Sequence, residues 1–390
     1  MAIKSRLSCP SLTVLTLALT LSATAQTVTD ASAGVKVLRT PQGGLQPQAA
    51  LDQRGALHLV YFLGEPGGGD LYYVRRAPGK TEFSAPIRVN SEPNTAVATG
   101  TIRGAQMAIG KNNRIHVAWN GPHKGGGQEA PMYYTRLDDR GAAFEPQRNV
   151  MQFSGGLDGG GSVAADALGH VYVAWHGRGV QPGEEYRRVW LARSTNEGRT
   201  FARETSAWEE PTGACGCCGM RAFSDRKGRA HLLYRSAGAR THRDMYLLSA
   251  AGPGQPFTGV RLDTWEINAC PMSSATLIDA PDDHILAAWE TAGQVSFAQI
   301  NPAAAHKFTP VSAPGATGKR RHPSLAVNQD GQTLLAWTEG TGWKKGGALA
   351  WQLYNANGHP VGDPGAAPDV PVWSFAAVVP EKNGGFTIIY

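Results

Sequence analysis

Cysteine is scarce in this chain, with five among 390 residues. A chain of this length has enough interior to fold without disulfide staples, so the thiols are not needed to hold the fold as a whole. Charged residues are also few, at 17%, and the net charge of +6 is mild and dispersed. That balance excludes the concentrated basic footprint of a nucleic-acid-binding protein. Past the first residues no apolar run approaches the roughly 20 residues a membrane span requires, and no long amphipathic helical period appears. Glycine (48) and proline (25) are what the chain has in plenty. Such a composition predicts an all-β protein of many short strands and turns.

The opening residues read as a secretory signal peptide. Lys4 and Arg6 precede the apolar stretch Leu12 to Leu21, and Ala23-Thr24-Ala25 supplies small residues for cleavage. Residues 1–25 are therefore expected to be removed, Cys9 with them, leaving a single domain over 26–390. The expected location is periplasmic or extracellular, with the protein soluble and no membrane span. Four remaining thiols in an oxidising compartment read most simply as two disulfides.

One unit recurs along the chain: a short apolar strand, a turn with Gly, Asn or Asp, and a second strand ending in an aromatic. Copies include "QMAIGKNNRIHVAW" from Gln106, "RAFSDRKGRAHLLY" from Arg221 and "SLAVNQDGQTLLAW" from Ser324. The seven closing aromatics are Tyr61, Trp119, Trp175, Tyr234, Trp289, Trp337 and Tyr390. Their separations run from 48 residues (Trp289 to Trp337) to 59 (Trp175 to Tyr234). Two weaker strands follow most copies, and about 55 residues per four-stranded unit is the size of a β-propeller blade. Seven copies favour seven blades, with six as the alternative. Because the chain ends on a second strand, "VKVLRT" from Val35 is expected to complete the last blade and close the ring.

In blade three, "STNEGRTF" spans Ser194 to Phe201. It resembles the Asp-box, S-x-D-x-G-x-T-W, of the sialidase-like (BNR-repeat) propellers, with Asn196 for Asp and Phe201 for Trp. In such a box Ser194 and Asn196 cap the turn, Gly198 takes a left-handed conformation, and Thr200 and Phe201 complete it. The run from "ACGCCGM" also resembles an exported bacterial subgroup with a C-x-C-C motif that goes under the name exo-α-sialidase. The resemblance implies a sialidase-type glycoside hydrolase as one activity, with three arginines on the substrate carboxylate, a Tyr–Glu nucleophile pair and an Asp acid/base. The family's N-terminal R-I-P motif is missing here. Arg103, Arg221, Arg235 and Arg321 are arginine candidates outside matching motifs, and Glu184 and Glu185 are the best carboxylates for acid work. Whether the chain is an enzyme stays open on these residues.

In a propeller, the connections into each first strand and the second-to-third loops share one face. "ACGCCGM" (Cys215, Cys217, Cys218) leads into blade four and "ACPM" (Cys270) into blade five, so the repeat predicts that the four cysteines meet on that face. One reading pairs Cys215 with Cys218 and Cys217 with Cys270, though three pairings are open. In another, the thiolates bind copper or zinc, with Met220 and Met272 as thioether neighbours. No other cofactor is expected. Arg235, Arg243, Asp244, His176, His322 and Trp343 fall on the same face and are the candidate ligand-binding residues, Trp343 as a stacking surface for a sugar. The function expected first is recognition of a glycan, an anionic ligand or a protein partner.

Overall fold

The computed structural model describes residues 27–28, 34–123 and 129–390; the signal peptide expected over residues 1–25 lies outside them. The second strand of each repeat pairs with both its neighbours, and seven four-stranded antiparallel or mixed sheets result. The inner strands are Leu45–Leu51, Gln106–Ile109, Ser162–Ala165, Arg221–Ser224, Ala275–Asp279, Arg320–Val327 and Ala377–Pro380. They belong to blades one to seven in that order and adjoin one another around a central axis. Seven blades, not six, make the ring.

Seven apolar clusters hold the described residues together, one between each pair of adjacent blades. Val60, Phe62, Val117 and Trp119 bind blade one to blade two, for example, and Leu38, Leu59, Tyr61 and Ile389 bind blade seven to blade one. Each sheet is apolar on both faces, so neither face can stay uncovered, and a closed ring covers all of them. The closing tryptophans are buried to within 1%. Each indole N–H still finds an acceptor: Trp119 on the Thr95 carbonyl, Trp175 on Ser154, Trp289 on Asp263 and Trp337 on Glu339. Burying such large side chains costs no unpaired donor.

Blade seven departs from the other six. Phe386–Ile389 is its second strand, and Val35–Leu38 lies beside it in parallel, with Val35 opposite Phe386 and Leu38 opposite Ile389. The connection forces this direction. Val35–Leu38 runs straight on into the inner strand of blade one, so it must end on the face where inner strands begin. Thr27–Val28 then takes the outer position, antiparallel to it. The closure expected from "VKVLRT" is thus present.

Turn chemistry sets the hairpins. Asp52, Asp166, Asp225 and Asn328 each directly follow an inner strand, and each accepts backbone N–H groups two and four residues on, which fixes a tight reversal. In blade three, Ser194 Oγ accepts from the Gly198 amide at 2.9 Å and Asn196 Oδ1 from the Thr200 amide at 3.0 Å. Asn196 also donates to the Thr200 hydroxyl, and Phe201 meets Tyr134 of blade two edge-on at 4.8 Å. Gly198 has φ 76°, and a β-carbon there would lie 1.8 Å from the Tyr134 hydroxyl. Gly198→Ala is therefore expected to lower stability by about 2 kcal/mol, measured as a shift in the urea midpoint at unchanged slope. A change below about 0.5 kcal/mol would show that the turn relaxes freely.

Candidate functional site

The inner strands surround a cavity of about 460 Å³ on the axis. Each inner-strand position opposite the residue before the closing aromatic lies at one level. Gln48 stands opposite Val60, Gln106 opposite Ala118 and Arg221 opposite Leu233. At this level blade three has Ser162, whose hydroxyl turns to the Ala222 amide of blade four. The small serine leaves room for Arg221 to reach across to blades one and two. Its Nη1 donates to Gln48 Oε1 at 3.1 Å and to Gln106 Oε1 at 2.5 Å, while its Nε has no partner among the described residues. No carboxylate among the described residues neutralises it, and burial pushes its pKa down to about 10. Among the described lining residues the one carboxylate is Asp279, at the far end of its strand. Thr101, Ile102, Ser274, His322 and Phe375 line the end of the cavity where the chain enters the inner strands.

The cysteines meet at that end, where the loops into blades four and five lie side by side. Cys217 and Cys270 form a disulfide, one of the pairings open to the sequence. Cys215 and Cys218 are buried thiols with their sulfurs 2.6 Å apart, and Cys215 Sγ lies 3.5 Å from Cys217 Sγ. Backbone bonds fix the turn. The Cys215 amide donates to the Arg235 carbonyl (2.9 Å), the Cys218 amide to the Cys215 carbonyl (3.3 Å) and the Gly219 amide to the Ser273 carbonyl (2.8 Å). His176 Nε2 donates to the Cys218 carbonyl at 2.9 Å. Burial pushes the imidazole down to about 4, so it is neutral at physiological pH. Burial would raise the Cys218 thiol, but the Cys215 hydrogen bond, the Arg235 guanidinium and Ser273 outweigh it and hold it at about 7. Cys215 shifts upward, through its bond to Cys218 and its burial.

Around this turn the expected ligand residues are largely engaged within the protein. Arg235 is 1% exposed and stacks 5.0 Å from the Trp265 ring. It donates to Ser273 Oγ at 2.7 Å and to the carbonyls of Arg243 and Glu290. Arg243 donates to Glu184 Oε2 at 2.7 Å, while its Nε and Nη1 are buried without partners among the described residues. Glu184 Oε1 in turn accepts from the Gly216 amide, and Glu185 pairs with Arg240 at 2.8 Å. Asp244 accepts from the Trp265 amide and Arg261. His322 is buried between Ser274 (3.0 Å) and Thr101 (3.5 Å), and its pKa falls to about 3 through burial and then Arg321. Met220 packs in the apolar cluster between blades three and four. Met272 instead borders a small recess with Thr101, Arg321, His322 and Trp373. Trp343 is 57% exposed, edge-on to Trp373 at 4.7 Å. Arg103 of the adjoining loop pairs with Asp158 at 2.6 Å.

Three contributors escape the sequence reading. Gln48 and Gln106 could have been found from the shared repeat position they occupy with Arg221. Glu290 follows the closing Trp289 and carries no local signal. It is buried and accepts from the His322 amide at 3.1 Å. Burial pushes its carboxyl up to about 7, opposed by Arg321, that amide and Arg235.

No family model matches this chain, and no curated protein does. Solved structures do match in shape. The NanB sialidase of Streptococcus pneumoniae superposes with a TM-score of 0.54 at 10% identity, over 93% of this chain and 84% of that one. The Hadza microbial sialidase Hz136 gives 0.51 at 14% identity, over 79% and 68%. An α-L-arabinanase of Penicillium chrysogenum gives 0.50 at 12% identity, over 80% and 94%. At such identities the likeness concerns the backbone, and it shows that this chain has a sialidase-like β-propeller fold.

Proposed function

We propose that this chain is an exported binding propeller whose central channel recognises an anionic ligand, above all a glycan carrying a carboxylate. The observation that carries the reading is Arg221, a guanidinium that crosses the channel on two amide oxygens with no acidic partner among the described residues. Folding has already desolvated this cation, so an anion entering the cavity gains a charge-assisted bond without that cost. Trp343, exposed near the loops at that end, offers a flat apolar face to a sugar ring. The carbohydrate enzymes that share the fold support a sugar as the bearer of the charge. A hydrolase of the sialidase type would need a Tyr–Glu pair at the ligand, and neither residue type is among the described residues lining the cavity. Arg235, Arg243, Asp244, His176 and His322 act in this reading as positioning residues that set the entry loops.

Export through the leader at residues 1–25 belongs to the proposal and is supported by the Cys217–Cys270 disulfide. So does membership of the Asp-box repeat family, which the Ser194 turn supports. Copper or zinc binding would draw on Cys215, Cys217 and Cys218, whose sulfurs lie within 4.8 Å of one another. That donor set exists only in a chain whose Cys217–Cys270 bond is reduced.

Calorimetric titration with N-acetylneuraminate and glucuronate, against uncharged glucose, tests the channel. Binding of the acids alone is expected, weakened at least about tenfold in Arg221→Gln, the loss of one charge-assisted contact. Trp343→Ala should weaken it by about fivefold. Equal binding of glucose, or acid binding untouched by Arg221→Gln, would overturn the proposal.

A further inference from the structure

The four sulfurs form a graded series from solvent to interior. Cys270 is exposed, Cys217 is half-buried, and Cys215 and Cys218 are buried. Cys215 Sγ touches both neighbours, at 2.6 Å from Cys218 and 3.5 Å from the disulfide sulfur of Cys217. A structural disulfide is ordinarily isolated from other thiols. This one has a buried C-x-x-C pair against its inner sulfur, in a turn clamped by bonds from blades three, four and five.

The surroundings suit sulfur that carries negative charge in passing. Arg235 and Arg243 are both buried and both bear on the pair, and Arg243 keeps Nε and Nη1 unpartnered among the described residues. Buried donors left unpaired cost stability, so their presence calls for a group that uses them. A thiolate formed during exchange is such a group.

We propose that Cys215, Cys218, Cys217 and Cys270 form one thiol–disulfide exchange unit, in which a disulfide moves between the exposed and the buried pair. Cys215 gives its proton to the Cys218 thiolate 2.6 Å away and its Sγ attacks Cys217 Sγ; the Cys215–Cys217 bond forms, the Cys217–Cys270 bond breaks, and Cys270 leaves as a thiolate. Cys218 passes that proton through solvent to Cys270 and, a thiolate again, attacks Cys215 Sγ; the Cys215–Cys218 bond forms and Cys217 leaves as a thiolate. Cys217 takes from solvent the proton that Cys218 had released on first ionising. One disulfide breaks and one forms, so no electrons enter or leave. The exposed dithiol so produced can reduce a partner disulfide in a second, two-electron exchange that links Cys217 to Cys270 again and leaves the partner as two thiols. The partner class is therefore an accessible disulfide, in a small molecule or an exported protein. This unit is independent of ligand binding in the channel.

The test equilibrates the full chain in glutathione buffers of graded ratio, quenches it in acid, alkylates free thiols and maps the disulfide-linked peptides. The form with two free thiols is expected to contain both the Cys217–Cys270 and the Cys215–Cys218 isomers. In Cys217→Ser and Cys217→Ala, oxidation of the buried pair by oxidised glutathione should slow at least about tenfold, since no sulfur is left beside Cys215 to relay the disulfide. Unfolding curves matching the parent's confirm that the variants fold, and Cys217→Ala keeps the test valid if Cys217→Ser does not. A two-thiol form holding one isomer at every ratio overturns the proposal, as do parental oxidation rates in the variants. Copper or zinc retained at one per chain, protecting Cys215, Cys217 and Cys218 from alkylation, also overturns it, in favour of a thiolate metal centre.

Discussion

Arg235→Ala is expected to lower the free energy of unfolding by about 3–5 kcal/mol, since it leaves three buried neutral acceptors without their charged donor at about 1–3 kcal/mol each. The side chain ties three segments together: Ser273 in the loop into blade five, the Arg243 carbonyl of its own blade, and the Glu290 carbonyl at the end of a blade-five strand. Alanine leaves those acceptors buried and unpaired and empties the space beside the Trp265 ring. Arg235→Lys should recover little, because an ammonium cannot reproduce a planar fork aimed at three acceptors. Glu290 supplies a second readout. Arg235 is one of the groups that lower its pKa, so without the arginine the carboxyl should titrate still higher, which isotope-edited infrared spectra of the carboxyl group would show. Urea curves decide the main point. A loss under about 1 kcal/mol for the alanine variant would mean that the blade-four and blade-five loops hold without it.

Asp225→Asn is expected to cost about 2 kcal/mol at neutral pH, with the cost disappearing in acid. Asp225 directly follows the inner strand of blade four and is buried. Its carboxylate accepts from the Lys227 and Arg229 amides, from Arg229 Nε at 2.5 Å and from His231 Nε2 at 3.0 Å. Burial would raise its pKa, but the bonds from His231 and Arg229 prevail and hold it down at about 2, against 3.8 for the free side chain. A carboxyl with a depressed folded pKa binds fewer protons folded than unfolded. Its contribution is therefore full above about pH 4 and lost as the pH falls toward 2. Parent and Asp225→Asn stabilities measured by denaturant titration from pH 7 to pH 2 should converge across that window. No gap at neutral pH would place the benefit in the turn's amide bonds, which asparagine keeps, and a gap that stays constant to pH 2 would show that the carboxylate's charge is not its source.

Much of the fold was legible because its elements repeat. An apolar strand, an Asp or Asn turn and a closing aromatic recur with small variations, and each departure can be judged against six other copies. Position along the repeat also told which loops share a face, and so brought Cys270 beside Cys217 across more than fifty residues. The direction of the third strand in blade seven was less obvious. It follows from the connection into blade one, and strand patterning is blind to direction. Side-chain engagement was hardest to read. Arg235 stands at the end of a strand in a glycine-rich context, where a cation ordinarily meets water. Its burial depends on a serine from one later loop, a carbonyl from another strand and an indole from a third segment. No local spacing records such a convergence. Arg221 lies between these extremes. Its repeat position is readable, but its reach across the channel depends on the small Ser162 of the preceding blade.

The parallel pairing of Val35–Leu38 with Phe386–Ile389 has a consequence for biogenesis. The clasp joins Val35 to Phe386, segments far apart along the chain, so six sheets must wait for the seventh before the ring can shut. Until then the flanks of blades one and six lack their final neighbour and present apolar surface to whatever is nearby. Chaperone dependence should be greatest in that interval and should fall away once the last strand docks.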